Sequence, residues 1–156
     1  MEHMKKSKKL VYIAGPLFND MECNRNTQIK DIVEAVGLDV YLPQDKVGRF
    51  SDLSGETNDK KELRKRIFDN DLSGVKACDI ILCLLDGRVP DEGTCVELGM
   101  AYVLGKVCVG YKTDTRSMTL EGYDNIMITE CIGGNIASNK EELVSILKKL
   151  SQRKLA

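Results

Sequence analysis

The chain has 156 residues, and its 23 Lys and Arg against 24 Asp and Glu give a formal net charge of −1. That length suits one domain with a single core, and the near-neutral charge argues against a general nucleic-acid binder, which usually carries a basic excess. The one histidine, His3, precedes a lysine cluster. We interpret residues 1–8 as a tag remnant and basic tail ahead of a single domain at 9–156, which excludes a histidine base or a histidine metal site.

Six cysteines lie mostly within apolar runs and form no CxxC pair, which is typical of reduced core residues and not of a disulfide frame or a zinc site. They are Cys23, Cys78, Cys83, Cys95, Cys108 and Cys131. The sequence has no secretory apolar region and no apolar stretch of bilayer length. We therefore expect a cytoplasmic protein that binds neither membrane nor nucleic acid and uses no metal or cofactor.

Apolar runs alternate with helical patterns along the chain. The apolar runs predict four buried strands and a candidate short fifth strand, at 9–16, 38–43, 79–85, 106–111 and 125–128. Helical periodicity predicts helices at 24–36, 59–77, 94–104 and 140–151. The polar stretch at 44–58 is too long for a simple connection, so we expect a loop that is mobile or functional.

This alternation predicts an α/β fold with a doubly wound parallel sheet. Five strands fit the length and no GxGxxG is present, which favours a flavodoxin-like strand order of 2-1-3-4-5. In that order the carboxyl ends of strands 1 and 3 are neighbours. The loop at Gly15 and the loop from Asp86 to Gly93 then form the two walls of one crevice, which is where open parallel sheets bind ligands.

Glu97 lies in the run Asp-Glu-Gly-Thr-Cys-Val-Glu-Leu-Gly at 91–99, which follows the third predicted strand and begins a helix. In the first turn of that helix, free N–H groups and the helix dipole favour an ionised carboxylate. Such a carboxylate is a candidate nucleophile for a sugar carbon. The structural alternative is a capping box, with Thr94 as the N-cap and Glu97 at N3.

Four segments of the chain resemble the nucleoside 2-deoxyribosyltransferase family, in the family's order. They are Val11-Tyr12-Ile13-Ala14-Gly15-Pro16 with Phe18, the stretch containing Asn70-Asp71-Leu72 and Cys78-Asp79, the run 91–99, and Asn125-Ile126-Met127. The resemblance covers roughly residues 10 to 130, and its specific part is the GTxxELG sequence with Asp91 upstream.

The resemblance implies a role for each matching residue. Glu97 is the nucleophile on C1′ of a 2′-deoxyribonucleoside, and Tyr12 is the hydroxyl that orients it. Asp71 and Asp91 contact the nucleobase and help to protonate it as it leaves. Phe18 belongs to the base pocket, which Gly15 and Gly93 also line. Asn125 and Met127 come from a neighbouring subunit and close over the ribose 5′-hydroxyl, so the resemblance also implies a homo-oligomer with a shared active site.

Some of these residues also have structural alternatives. Tyr12 is equally compatible with a packing role on a core strand, and Asp91 with an ordinary turn. Asp71 fits a solvated helix residue or an ion-pair partner of Arg64 or Lys76. Asn125 could end a turn, and Phe18 could belong to the core.

The chemistry follows from the bond that breaks. Cleaving an N-glycosidic bond builds positive charge on the sugar, which a carboxylate beneath C1′ stabilises, and negative charge on the base, which a proton donor offsets. A deoxyribosyl ester on Glu97 attacked by a second base gives transfer with net retention. We therefore expect a pentosyltransferase of nucleotide salvage that acts on a deoxynucleoside and a nucleobase.

Two other functions remain compatible with the sequence. One is a hydrolase of 2′-deoxynucleoside 5′-monophosphates, for which Ser73, Arg116 or Ser117 would have to lie near the 5′ position. The other is a non-catalytic nucleoside-binding module on the same fold. A receiver domain is disfavoured because strand 1 ends in Ala14-Gly15-Pro16 and lacks an acidic pair.

Overall fold

The computed structural model describes residues 8–55, 58–117, 119 and 124–153, so most of the basic tail at 1–8 lies outside the described residues. Its strands form one five-stranded parallel sheet in the order β2-β1-β3-β4-β5. They are β1 (Leu10–Ala14), β2 (Asp39–Tyr41), β3 (Ile80–Leu84), β4 (Val107–Tyr111) and β5 (Ile136–Ala137). The predicted α/β class and strand order are confirmed.

Helices cover both faces of the sheet. They are α1 (Asp20–Ala35), α2 (Pro43–Lys46), α3 (Phe50–Leu53), α4 (Lys60–Ala77), α5 (Glu92–Val103), α6 (Ile126–Ile132) and α7 (Lys140–Gln152). Every residue of β3 is buried, as expected for a central parallel strand covered on both faces. None of the helices among the described residues is long and apolar enough to cross a bilayer.

The alternation of side chains along β1 decides which residues reach the candidate site. Val11 and Ile13 belong to the core cluster that packs under α1 and α7. Tyr12 and Ala14 belong to the cluster on the opposite face, with residues of α4 and α5. Because successive side chains of a strand point to opposite faces, Tyr12 is directed towards the side of the sheet that carries α5.

The prediction of a strand at 125–128 is wrong. Residues from Ile126 form α6, whose N-cap Asn125 accepts a hydrogen bond from the Met127 N–H at 2.9 Å, and the fifth strand is β5. The error has a physical reason, since a short apolar run has no periodicity long enough to separate a strand from a helix. Gly133, with φ of 62°, ends α6 in the left-handed conformation that glycine adopts readily.

Two further predictions need correction. The polar stretch 44–58 is not a continuous loop, because α2 and α3 lie within or beside it and Pro43 occupies the first turn of α2. The first helix begins at Asp20 and not at residue 24, because Asn19 caps it by accepting a hydrogen bond from the Glu22 N–H at 3.0 Å. The apolar stripe used for the prediction begins only in the second half of that helix.

Candidate active site

Tyr12 and Glu97 meet across the interface between the sheet and α5. The Tyr12 hydroxyl donates a hydrogen bond to Oε1 of Glu97, with an oxygen-oxygen distance of 2.6 Å. Tyr12 is fully buried, so its ring lies beneath the site while its hydroxyl reaches the carboxylate. The structure thus brings together two predicted residues that are far apart in the sequence.

Burial dominates the electrostatics of Glu97. It raises the pKa of this carboxyl to about 7, against the Tyr12 hydrogen bond, which lowers it, while the nearby Asp71 and Asp91 raise it further. The expectation that the helix dipole favours the ionised form is therefore wrong. Glu92 is the first residue of α5, so Glu97 lies in the second helical turn, beyond the free N–H groups of the helix start.

Asp91, and not Thr94, is the N-cap of α5. Its Oδ2 accepts hydrogen bonds from the Thr94 N–H at 2.9 Å and from the Thr94 hydroxyl at 3.2 Å. The predicted capping box of Thr94 and Glu97 is wrong because the cap lies three residues earlier, and Thr94 is buried at N3. Both hydrogen bonds use Oδ2, so among the described residues Asp91 has an Oδ1 free to meet a ligand.

Asp71 is a second carboxyl with an altered proton affinity. It lies on α4, and burial raises its pKa to about 6. Among the residues that the structure describes, no ion pair joins Asp71 to Arg64 or Lys76, so the ion-pair alternative is not supported. Two carboxyls that titrate near neutrality on one face of the sheet can hold one proton between them, as an acid and a nucleophile require.

Two adjoining cavities, of about 490 and 420 Å³, open onto these carboxyls. The residues that line both are Phe50, Ile67, Asp71, Gly93 and Glu97. The larger one, the α4–α5 cavity, is otherwise walled by side chains of those two helices, including Phe68, Leu72, Val96 and Met100. The smaller one, the loop cavity, adds Gly15, Phe18 and Asp91 together with residues 47–51.

One wall of the loop cavity follows β1. A Cβ at Gly15 would lie 2.9 Å from Cδ1 of Leu84, so only glycine lets the chain pass this close to β3. The buried side chain of Asn26 donates hydrogen bonds to the Pro16 carbonyl at 2.9 Å and to Oε1 of Gln44 at 3.0 Å. Asn26 therefore ties this wall to α2.

The other wall follows β3 and is anchored by Asp86. Its carboxylate accepts hydrogen bonds from the N–H groups of Thr113 and Asp114, at 2.6 and 3.0 Å, and pairs with Arg25. Burial acts to raise the pKa of Asp86, but the hydrogen bond from the Thr113 hydroxyl at 2.7 Å, the two backbone hydrogen bonds and the Arg25 charge outweigh burial and lower the pKa below its usual value. An ionised Asp86 thus fixes the loop that leads to Asp91.

Asn125 and Met127 do not join the other predicted site residues within one chain. They line neither cavity at Glu97, and the Met127 side chain is 73% exposed on α6. Ser73, Arg116 and Ser117, which the hydrolase alternative would need, also line neither cavity. Of the described residues that line the α4–α5 cavity, one is basic: Arg64, whose guanidinium lies 5.9 Å from the centre of the Phe50 ring.

The sequence analysis missed Phe50, Tyr41 and Gly74. Phe50 was the one aromatic residue in the polar stretch 44–58 and lies between the two cavities. Tyr41 stacks on Tyr12, with ring centres 5.3 Å apart. Gly74, an isolated glycine within a helical pattern, was the available signal, because such a glycine often marks a close approach of another group.

The chain is similar in sequence to one known protein family. The sequence model of the family described as nucleoside 2-deoxyribosyltransferase matches residues 11–145, which include both cavities. No curated protein matches the sequence.

Three solved structures share the fold. A conserved protein from Enterococcus faecalis V583 is 26% identical with a TM-score of 0.75, over 92% of this chain and 99% of that one. A 2-deoxyribosyltransferase from Bacillus psychrosaccharolyticus is 23% identical with a TM-score of 0.67, over 86% and 90%. The CMP N-glycosidase BcmB from Clostridium botulinum is 17% identical with a TM-score of 0.57, over 89% and 98%.

Proposed function

We propose that this chain, which belongs to the nucleoside 2-deoxyribosyltransferase family, cleaves the N-glycosidic bond of 2′-deoxyribonucleosides and transfers the sugar to a second nucleobase. The observation that carries the proposal is the 2.6 Å hydrogen bond from the Tyr12 hydroxyl to Glu97 at the junction of two cavities. Cavities of this size suit a nucleoside.

In the first half-reaction, ionised Glu97 attacks C1′ with the oxygen that Tyr12 does not bind. A C1′–O bond forms as the C1′–N bond breaks, and the electron pair leaves with the base. Protonated Asp71 gives its proton to that base. The Tyr12 hydroxyl stays protonated, because burial and the charge of Glu97 both raise its pKa, and it holds the carboxylate under the sugar.

In the second half-reaction, a nitrogen of the acceptor base attacks C1′ from the opposite side. Its proton returns to Asp71, and the ester to Glu97 breaks to restore the carboxylate. Two inversions give net retention at C1′. Phe18 and Asp91 on the loop cavity are the groups that would hold the base, since an aromatic face and a carboxylate oxygen suit a flat, hydrogen-bonding ring.

We also propose that the site is completed by a second copy of the chain. Two apolar side chains on α6, Ile126 at 69% and Met127 at 73%, are left exposed by the residues that the structure describes, and Val96 at the rim of the α4–α5 cavity is 56% exposed. Docking α6 of a neighbouring copy on that rim would cover both apolar surfaces and bring Asn125 towards the sugar.

A mixing experiment tests this shared site. Glu97→Ala and Asn125→Ala proteins, each inactive alone, should regain activity when their subunits are exchanged, because one of the two sites in a mixed dimer keeps both residues. Mixtures that stay inactive although subunit exchange is demonstrated would reject the shared site and leave the chemistry at Glu97 untouched.

The central test is base exchange. Wild-type protein given a deoxynucleoside and a different free base should form the second deoxynucleoside, and mass spectrometry of quenched protein should find a deoxyribosyl adduct on Glu97. Release of free deoxyribose that does not depend on the acceptor would indicate a hydrolase instead. Binding of the nucleoside without either product would indicate the non-catalytic module.

A second candidate function is hydrolysis of 2′-deoxynucleoside 5′-monophosphates. Arg64 on the α4–α5 cavity favours it, because a guanidinium is a good partner for a phosphate. The same assay with a 5′-monophosphate decides between the two. Arg64→Ala should raise the KM for the monophosphate and not for the nucleoside if this second function is correct.

A further inference from the structure

Tyr41 links the two carboxyl-bearing parts of the candidate site. Its ring, on β2, stacks on the Tyr12 ring with centres 5.3 Å apart and planes inclined by 16°. Its hydroxyl donates a hydrogen bond to the backbone carbonyl of Asn70 at 2.9 Å. Asn70 immediately precedes Asp71 on α4, so one side chain contacts both the partner of Glu97 and the turn that carries Asp71.

Gly74 makes this arrangement possible. A Cβ at this position would lie 2.5 Å from Cε1 and 2.7 Å from Cζ of Tyr41, and 2.8 Å from Cε2 of Tyr12. Contacts below 3 Å are not tolerated, so α4 lies directly on the edges of both rings and any side chain at residue 74 would displace them. The glycine lies within a helix, where it is less favourable than alanine, so a specific packing reason for it is expected.

We propose that Tyr41 is a positioning residue for the reaction: its ring holds the Tyr12 hydroxyl on Glu97, and its hydroxyl holds the helical turn of Asp71. The proposal rests on the function proposed above for Glu97. It adds a residue that lines neither cavity and that acts only through Tyr12 and α4.

The packing explains why the stack matters. Tyr12 reaches Glu97 from a fully buried ring, and a tyrosine ring can tilt whenever a void opens beside it. Removing the Tyr41 ring opens such a void on one face of Tyr12. A tilt lengthens the 2.6 Å hydrogen bond, and a misplacement of about 1 Å at a reacting group lowers rates by up to about 100-fold.

The groups around Glu97 mean that loss of the Tyr41 ring should also change a second quantity, the pKa of Glu97. The groups that act on it are Tyr12 from β1, Asp71 from α4 and Asp91 from the start of α5. Among these described groups only the Tyr12 hydroxyl lowers the pKa of Glu97. Lys46 lies over the Tyr41 ring, 5.4 Å from its centre, and does not act on Glu97. Loosening the Tyr12 hydrogen bond must therefore raise the pKa of Glu97.

The experiment measures the pKa of Glu97 by ¹³C NMR of side-chain carboxyls, with the signal assigned by its loss in Glu97→Gln. Tyr41→Leu should raise this pKa, and should lower kcat for base exchange by about 10- to 100-fold. In a Tyr12→Phe background, Tyr41→Leu should not raise the Glu97 pKa further, because the hydrogen bond on which the Tyr41 ring acts is already absent, and any further fall in kcat then comes from the turn of Asp71. Tyr102→Leu, which removes an exposed aromatic ring elsewhere, is the matched control and should change neither.

A folded Tyr41→Leu protein with an unchanged Glu97 pKa would overturn the proposal. So would a rise in the Glu97 pKa that persists fully in the Tyr12→Phe background. The NMR titration needs no turnover, so this failure is distinct from failure of the proposed function, which would appear as base exchange surviving in Glu97→Ala.

A second pair of variants keeps the proposal testable if Tyr41→Leu does not fold. Gly74→Ala adds one methyl group against both rings and should also raise the Glu97 pKa and lower kcat. Gly99→Ala makes the same change on α5, where a Cβ would meet nothing within 4 Å, and should leave both unaltered. If Gly74→Ala and Gly99→Ala had the same Glu97 pKa and the same kcat, the proposed role of the stacked Tyr12 and Tyr41 rings would be rejected.

Discussion

The two faces of the sheet carry cavities of different character. The largest cavity, about 760 Å³, lies between α1 and α7, and its charged groups, such as Lys140 and Lys148, are exposed on its rim. The cavities on the other face are smaller, about 490 and 420 Å³, but they meet at Glu97 and Asp71, whose pKa values burial raises to about 7 and about 6. Volume alone therefore does not identify the site. The site is identified by polar groups that converge on one point and have altered pKa values. Burying a carboxyl destabilises its charged form, so a buried carboxyl indicates a place where chemistry uses it.

The sharpest test of this difference is Glu97→Ala. It should lower kcat for base exchange by about 10⁴-fold, because the variant lacks the carboxylate that we propose to bond to C1′. Circular dichroism should report an unchanged fold. Glu92→Ala, on the exposed first turn of the same helix, is the control and should keep full activity. Retained activity in Glu97→Ala would leave the carboxylate with a structural role only.

Asp71→Asn should have the next largest effect, a fall in kcat of about 100- to 1000-fold, because an amide has no proton of suitable acidity to give the leaving base. The loss should nearly vanish for a 7-methylated purine deoxynucleoside, whose base leaves without being protonated. The control is Asp69→Asn, two positions before Asp71, which removes the charge of an exposed residue paired with Lys65 and should leave kcat unchanged. An equal loss with both substrates would exclude Asp71 as the acid.

The pH dependence follows from the same two carboxyls. The proposed mechanism needs Glu97 ionised and Asp71 protonated, which is the minor one of the two singly protonated forms because Glu97 has the higher pKa. The value of kcat/KM should therefore rise as pH increases towards about 7 and fall as Asp71 loses its proton above about 6. The two groups interact, so the profile reports apparent values for the pair. We expect a narrow bell with its maximum between about 6 and 7. A profile that is flat from pH 5 to 8 would contradict this assignment.

Ionisation of Glu97 should lower the stability of the folded protein, although the proposed reaction requires it. A carboxyl whose pKa is raised from 4.5 to about 7 on folding favours the folded state below about pH 4.5, and that contribution is lost as the pH rises to about 7. Glu97→Gln should therefore melt above wild type at pH 8, by about 2–4 °C or more, and the difference should shrink at pH 4. An equal difference in melting temperature at both pH values would show that the buried charge of Glu97 is not what destabilises the wild type.

The smallest effect is expected on the α1–α7 side. Lys148→Ala removes a charge from the rim of the largest cavity and should change kcat/KM by no more than about twofold, as surface substitutions usually do. Steady-state kinetics beside wild type is the measurement. A loss comparable to that of Asp71→Asn would mean that the wrong face of the sheet has been assigned to the chemistry.

Features of the fold and of the candidate site could be predicted from the sequence where they depend on neighbouring residues. The four longer strands, the strand order and the proximity of Tyr12 to Glu97 followed from apolar runs and from the rule that the carboxyl ends of parallel strands share one edge. The N-cap of α5 was placed three residues late, since both Thr94 and Asp91 are good caps and nothing local ranks them. The helix α6 was predicted as a strand because Ile126 and Met127 belong to a short apolar run, and yet both are exposed.

The sequence by itself determined the α/β architecture and the candidate side chains for the chemistry, because periodicity and residue type are properties of neighbouring positions. Only the tertiary structure decided that Glu97 titrates near neutrality, that Gly74 admits two stacked tyrosines, and that Phe50 stands between the cavities. Burial and close packing are produced by segments distant in the chain, so no local pattern encodes them.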